Sequence, residues 1–198
     1  MKHLLFSSLL LLSLSAFAEV KPKSDAPNFK LNDLAGKEHA LNDFKGKWVV
    51  LEWFNKDCPY VKKHYGSNNM QTLQKTFTDK GVVWLTINSS AKGEQGYQEA
   101  ADAEKTVKEL KANQSFLLTD ASGSVGRLYG AKTTPHMFVI SPEQKVVYAG
   151  AIDDNSSSDP AVIPQSKNYV ADALNAGMAG KAIAVATSRP YGCNVKYK

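Results

Sequence analysis

The chain has 198 residues, a formal net charge of +5, 43% hydrophobic residues and two cysteines. This length and apolar content favour a single globular domain and exclude wholesale disorder, collagen-like repeats and low-complexity structure. Two cysteines exclude a disulfide-dense scaffold and a zinc site built from cysteines alone. The lysines are interleaved with acidic and polar residues and form no basic stripe, so the sequence predicts no nucleic-acid partner.

The first 18 residues, MKHLLFSSLLLLSLSAFA, have the layout of a secretory signal peptide. Lys2 precedes an apolar run of about 14 residues, which is shorter than the roughly 20 that a membrane-spanning helix needs. Because Ala16-Phe17-Ala18 fits a small-x-small cleavage site, we expect cleavage after Ala18 and a periplasmic or secreted protein without a membrane span. Outside the cytoplasm, a disulfide between the two cysteines is permitted.

The predicted elements alternate between strands and helices. A short strand over 28–31 precedes an almost wholly apolar strand over 47–54, which is typical of a central strand covered on both faces. Further along the chain, the pattern predicts a helix over 59–79 with a doubtful middle, a strand over 82–87, a helix over 98–112, a strand over 116–119, a short helix over 122–129, a hairpin of strands 136–140 and 145–149, a polar loop over 153–164 and a helix over 166–178. This order predicts an α/β domain with a mixed sheet flanked by helices.

Three segments in this order resemble the redoxin branch of the thioredoxin fold, which contains the peroxiredoxins and the exported TlpA-like and ResA-like reductases. Residues 26–47 resemble the N-terminal hairpin of that branch, and VVLEWFNKDCPY over 49–60 resembles its first core strand and active-site loop. TTPHMFVI over 133–140 resembles the cis-proline loop and the strand that follows it. The resemblance covers residues 25–178 and implies a thioredoxin-like fold with an N-terminal β-hairpin extension.

The predicted organisation of the chain has three parts. A signal peptide (1–18) precedes a thioredoxin-like domain (19–180), and a C-terminal tail (181–198) carries Cys193. The tail falls outside the segments that resemble the family.

Cys58 lies where the resemblance places the reactive cysteine, between a buried strand and a helix. A thiol there meets free backbone N–H groups and the positive end of the helix, which lower its pKa and favour the nucleophilic thiolate. The alternative is a buried, inert core cysteine. Thioredoxin-like reductases carry Cys-x-x-Cys, but Val61 occupies the fourth position here, so no local disulfide is possible. The resolving thiol is then Cys193 or an external thiol, or the site no longer catalyses exchange.

Five further residues complete the predicted site. Glu52 interrupts the apolar strand six positions before Cys58 and matches the buried carboxylate that exchanges protons in thioredoxins. The alternative is a carboxylate at the sheet edge or paired with a lysine. Pro135 resembles the cis-proline that faces the active cysteine, and Thr134 matches the residue whose backbone pairs with a bound peptide. The predicted substrate-binding residues are Thr134, Pro135, Pro59 and Tyr60.

The peroxiredoxin pattern is incomplete. That branch places Pro seven and Thr three residues before its peroxidatic cysteine, whereas this chain has Leu51 and Asn55 there. Asn55 could donate a hydrogen bond in place of the threonine, and Arg127 could supply a cation, although a surface arginine is the simpler interpretation.

The leading hypothesis is an exported thiol-disulfide oxidoreductase in which Cys58 attacks, Cys193 is the candidate resolving thiol and Glu52 moves protons. The alternatives are a thiol peroxidase that uses the same cysteines and a non-catalytic thioredoxin-fold binding module. The expected partners are protein or small-molecule thiols and disulfides, peroxides for the peroxidase alternative, and an external electron donor. We expect no cofactor and no metal site.

Overall fold

The structure is a computed structural model that describes residues 20–198, so the predicted signal peptide lies outside the described residues. A seven-stranded sheet forms its centre, with the strands in the order β2-β1-β5-β4-β3-β7-β8. The strands are β1 (Lys30–Asp33), β2 (Glu38–Ala40), β3 (Val49–Trp53), β4 (Val83–Asn88), β5 (Phe116–Thr119), β7 (His136–Ile140) and β8 (Val146–Gly150). Two-residue strands, β6 (Thr133–Thr134) and β9 (Cys193–Asn194), form a separate antiparallel pair.

The sheet is mixed, as the sequence predicts. Strands β3, β4 and β5 run parallel, whereas β7 and β8 pair antiparallel on one side and the β1–β2 hairpin adds antiparallel strands on the other. Every residue of β3 is buried, because β4 and β7 flank it and side chains pack against both of its faces. This arrangement confirms the predicted thioredoxin-like fold with its N-terminal hairpin.

Five helices accompany the sheet in the described part of the chain: α1 (Pro59–Gly66), α2 (Asn69–Thr78), α3 (Ala100–Leu110), α4 (Ser124–Tyr129) and α5 (Tyr169–Met178). Residues of α1, α2 and α5 share one hydrophobic cluster with Val50, Phe54 and Cys58. The opposite face of β3, with Leu51 and Trp53, packs against residues of α4 and the N-terminal segment. Cys58 therefore faces the layer formed by α1, α2 and α5.

Two helix boundaries differ from the sequence prediction. The single helix predicted over 59–79 is wrong, because the chain turns at Asn68, whose φ of 61° lies in the left-handed region that asparagine tolerates. The last helix begins at Tyr169 rather than at Ser166, since the side chain of Asn168 caps it by accepting from the N–H of Ala171. Within the predicted polar loop, Pro160–Gln165 form a short 3-10 helix.

The C-terminal tail, residues 181–198, packs along the domain in an extended path. Its Ser188 hydroxyl hydrogen-bonds Tyr148 and accepts from the N–H of Ala151. Farther along, the side chain of Val195 is buried in the core, and the carbonyl of Lys196 accepts from the N–H of Ala91. Among residues 20–198, no helix is long and apolar enough to cross a membrane.

Candidate active site

Cys58 caps the N-terminus of α1, and Pro59 occupies the first helical position, where its missing N–H costs nothing. The loop between β3 and α1 is held by Asn55, whose carbonyl accepts from the Cys58 N–H at 3.1 Å. The Asn55 side chain accepts from the N–H of Asp57 at 2.9 Å and donates to the carbonyl of Gln95 at 3.0 Å. Asn55 thus shapes the loop, which positions Cys58 at the end of the buried strand.

The structure brings both cysteines and the cis-proline loop together. The Cys58 thiol donates to the carbonyl oxygen of Thr134 at 3.0 Å, and the Thr134–Pro135 peptide bond is cis. Thr134 also pairs antiparallel with Cys193, the first residue of β9. Both cysteines are unbonded thiols, with Cys58 fully buried and Cys193 partly exposed. Cys58, Cys193, Thr134 and Pro135, four of the seven predicted site residues, therefore lie next to one another.

The protonated Cys58 thiol makes the contact with the Thr134 carbonyl, while other groups around the sulfur lower the pKa of Cys58. Burial raises the pKa of Cys58, but the neighbouring Cys193 thiol and two backbone N–H groups outweigh burial and leave the pKa below its ordinary value. The backbone donors belong to Val61 and Cys193. Burial, donation to Cys58 and the negative charge of Cys58 raise the pKa of Cys193 to about 11. Of the two thiols, Cys58 is therefore the one that loses its proton more readily.

Glu52 is buried in the core on the same face of β3 as Val50 and Phe54. Its carboxyl group accepts four hydrogen bonds of 2.8–3.1 Å, from the side chains of Trp84, Tyr65, Thr86 and Gln74. No cation among residues 20–198 pairs with it, and it does not lie at the sheet edge. Burial raises the pKa of Glu52, although the four donors oppose this effect.

Tyr191 anchors the tail directly before Cys193. Its hydroxyl donates to the carboxylate of Asp153 and lies 3.2 Å from His64 Nε2. The buried Lys63 ammonium lies 3.6 Å from Asp153 and 5.3 Å from the centre of the Tyr191 ring. Tyr60, the predicted substrate-binding residue, packs edge-on against Tyr191 with a 5.7 Å centroid separation. Because Lys63, His64 and Tyr60 all belong to α1, the helix that Cys58 caps also holds the tail.

We expect Tyr191→Phe to lower the free energy of unfolding by about 1–3 kcal/mol, because the buried Asp153 carboxylate loses a donor. Urea denaturation measures the change. Tyr97→Phe is the matched control: its hydroxyl bonds the Glu99 carboxylate at an exposed position, where the loss should stay below about 0.5 kcal/mol. Equal losses in both variants would contradict an anchoring role for Tyr191.

The residues that hold the tail were not predicted from the sequence. Polar residues usually lie on the surface, whereas Lys63, His64 and Asp153 are buried, so their arrangement around Tyr191 was not predicted. Burial and the neighbouring Lys63 lower the pKa of His64 to about 3, so the imidazole is neutral. The available clue was Gly192 directly before Cys193, because a glycine permits a close backbone approach; its φ in the structure is 143°.

Arg127 also contacts the tail. Its guanidinium lies 4.6 Å from the centre of the Tyr197 ring and donates to the carbonyl of Lys198. Arg127 and Asn55, the two groups considered for peroxide chemistry, are therefore engaged in tail and loop contacts. Within residues 20–198, no group of three or more His, Cys, Asp or Glu side chains is arranged to hold a metal ion.

Comparison with known proteins places this geometry in a family. A model described as the AhpC/TSA family matches residues 22–149. Thiol-disulfide oxidoreductase ResA of Bacillus subtilis is 32% identical over 124 residues, which cover 63% of this chain and 64% of that protein. ResA of Bacillus cereus is 28% identical over 126 residues, covering 62% and 65%. The chain thus spans slightly less than two thirds of the length of these curated relatives.

Solved structures share the fold. A hypothetical protein of Sinorhizobium meliloti superposes with a TM-score of 0.76 at 23% identity, covering 91% of this chain and 97% of that one. A putative thiol:disulfide interchange protein DsbE of Chlorobium tepidum has a TM-score of 0.54 at 26% identity, covering 67% and 85%. With a family model that matches most of its length and a cysteine on the strand-to-helix loop opposite a cis-proline, the chain belongs to the AhpC/TSA family of thioredoxin-fold proteins.

Proposed function

We propose that this protein is an exported thiol-disulfide oxidoreductase in which Cys58 is the attacking thiolate and Cys193 the resolving thiol. The observation that carries the proposal is the antiparallel pairing of Cys193 with Thr134, whose carbonyl oxygen lies 3.0 Å from the Cys58 sulfur. The ResA relatives, named as thiol-disulfide oxidoreductases, support the reaction class. The apolar run that ends at Ala18 supports export.

The proposed cycle uses one external disulfide and one external dithiol donor. The Cys58 thiolate attacks a sulfur of the substrate disulfide, forms a mixed disulfide and releases the other substrate sulfur as a thiolate, which takes up a proton. Cys193 then loses its proton and attacks the Cys58 sulfur. This step forms a Cys58–Cys193 disulfide and releases the second substrate thiol, so the substrate gains two electrons. The external dithiol reduces the new disulfide and closes the cycle.

The remaining predicted residues take supporting roles in this proposal. Thr134 and the cis Pro135 border the sulfur of Cys58 and form the docking loop. Pro59 starts the helix whose free N–H groups stabilise the thiolate. Glu52 is the proposed proton carrier, because its carboxyl group is buried on the Cys58 side of the sheet and its pKa is raised. The thiol peroxidase alternative lacks comparable support, since Asn55 and Arg127 are engaged elsewhere.

Intact mass spectrometry tests the two-cysteine cycle. Treatment of the reduced protein with a small disulfide should lower its mass by two hydrogen atoms and leave no thiol to alkylate. In Cys193→Ser, the same treatment should instead leave a stable adduct on Cys58, because the resolving sulfur is gone. An unchanged mass in the wild type, with two alkylatable thiols, would contradict the proposed cycle.

A further inference from the structure

The docking edge of the cis-proline loop is already occupied by the chain itself. Strand β9 pairs antiparallel with β6, so that Cys193 lies opposite Thr134 and Asn194 opposite Thr133. An extended client peptide that adds a strand to this edge would need the same backbone groups. The tail strand therefore takes the place of a client, with its own cysteine facing Cys58.

The fit of the tail to this edge depends on Gly192. Its φ of 143° belongs to a backbone region that residues with a side chain rarely adopt. A Cβ atom at this position would overlap the carbonyl oxygen of Thr134. The tail backbone thus approaches the docking loop more closely than any residue other than glycine allows.

Anchors on both sides of β9 hold it in place. Tyr191 is fixed to Asp153 before the strand, and the buried side chain of Val195 follows it. The N–H of Val195 donates to the carbonyl of Lys132 at 3.1 Å. With the strand docked, Cys58 has no exposed surface, whereas Cys193 is partly exposed.

We propose that the docked tail makes this site selective for low-molecular-weight disulfides over extended peptide disulfides. The proposal rests on the proposed function of Cys58 and adds its substrate class. In this proposal, a small disulfide reaches the sulfur of Cys58 past the partly exposed Cys193 side chain while β9 stays paired with Thr134. An extended peptide has to detach the whole of β9 from Thr134, because both would pair with the same edge.

The test uses two substrates with the same leaving group. One is the mixed disulfide of N-acetylcysteine amide with thionitrobenzoate, and the other is a peptide of about ten residues whose central cysteine bears the same group. The protein is the full chain carrying Cys193→Ser, so that thionitrobenzoate release reports the attack of Cys58 alone. The measured quantity is the rate constant for the small substrate divided by that for the peptide.

Gly192→Ala in this background should lower that ratio about tenfold, because the overlap with Thr134 weakens the docked strand and the peptide gains access. Gly180→Ala is the matched control: Gly180 also has a positive φ, of 67°, but a Cβ atom there would meet nothing within 4 Å. Its ratio should equal that of the background. Tyr191→Phe, which loosens the anchor without changing the glycine, should lower the ratio in the same direction and serves if Gly192→Ala fails to fold.

The experiment distinguishes a failure of the tail proposal from a failure of the proposed function. If Cys58 reacts with the small substrate but the ratio is the same in Gly192→Ala, Tyr191→Phe and Gly180→Ala, the selective role of the tail is wrong and the proposed function stands. If Cys58 releases thionitrobenzoate from neither substrate in any variant, the proposed function falls and the selectivity with it.

Discussion

Replacing Cys58 by serine is expected to lower the rate of disulfide exchange at least about a thousandfold, the largest effect we foresee for this protein. The helix N-terminus and the donors around the Cys58 sulfur stabilise a thiolate, but a serine hydroxyl at the same position stays protonated and is a poor nucleophile. The rate of thiol release from a small disulfide measures the loss directly.

Cys193→Ser is the comparison that separates attack from resolution. The first thiol should still be released, since Cys58 keeps its place at the start of α1, but the mixed disulfide should persist instead of breaking down. If Cys58→Ser retains wild-type exchange while Cys193→Ser loses it, the assignment of the two cysteines is reversed.

The second large effect is expected for Glu52→Leu, which should lower the free energy of unfolding by about 2–5 kcal/mol. Leucine fills a similar volume but leaves the indole N–H of Trp84 and the hydroxyl of Thr86 without their buried acceptor. Urea denaturation at neutral pH measures the difference. A stability equal to that of the wild type would mean that the donors find other partners.

Glu52→Gln is the matched variant, because its amide oxygen can accept from Trp84 and its NH2 group can donate to the Tyr65 hydroxyl. Burial raises the pKa of Glu52 in the folded protein above its unfolded value. The unfolded state therefore loses its proton first as pH rises, and the wild type loses stability through the interval from the unfolded to the folded pKa. Glutamine has no such titration, so the stability of the wild type relative to Glu52→Gln should fall as pH rises through that interval. Parallel pH curves would show that the Glu52 pKa is not raised.

The same variant tests the proposed proton transfer. If Glu52 moves protons for the thiols, Glu52→Gln should change the pH profile of the exchange rate while the protein stays folded. An unchanged profile would restrict Glu52 to a structural role, as a buried carboxylate satisfied by four donors.

Elements with a strong local pattern could be predicted from the sequence. The apolar run that became β3 has residues buried on both faces, and the predicted strand over 116–119 matches β5. The break between α1 and α2 was predicted only as a doubtful stretch at Gly66, Ser67 and Asn68, because residues of this kind weaken a helix without fixing where it ends. Boundaries of this kind depend on how each helix packs, not on composition alone.

The sequence by itself determined the mixed α/β fold, the position of Cys58 between a strand and a helix, and the absence of a second cysteine at Val61. These features follow from local periodicity and motif spacing. The tertiary structure alone decided where the tail goes and what surrounds Glu52. Cys193 meets Cys58 through a two-residue strand, a close glycine contact and a buried polar cluster formed by residues far apart in the chain. Such contacts leave no local pattern in the sequence, because the residues that form them meet only when distant segments of the chain pack together and exclude water.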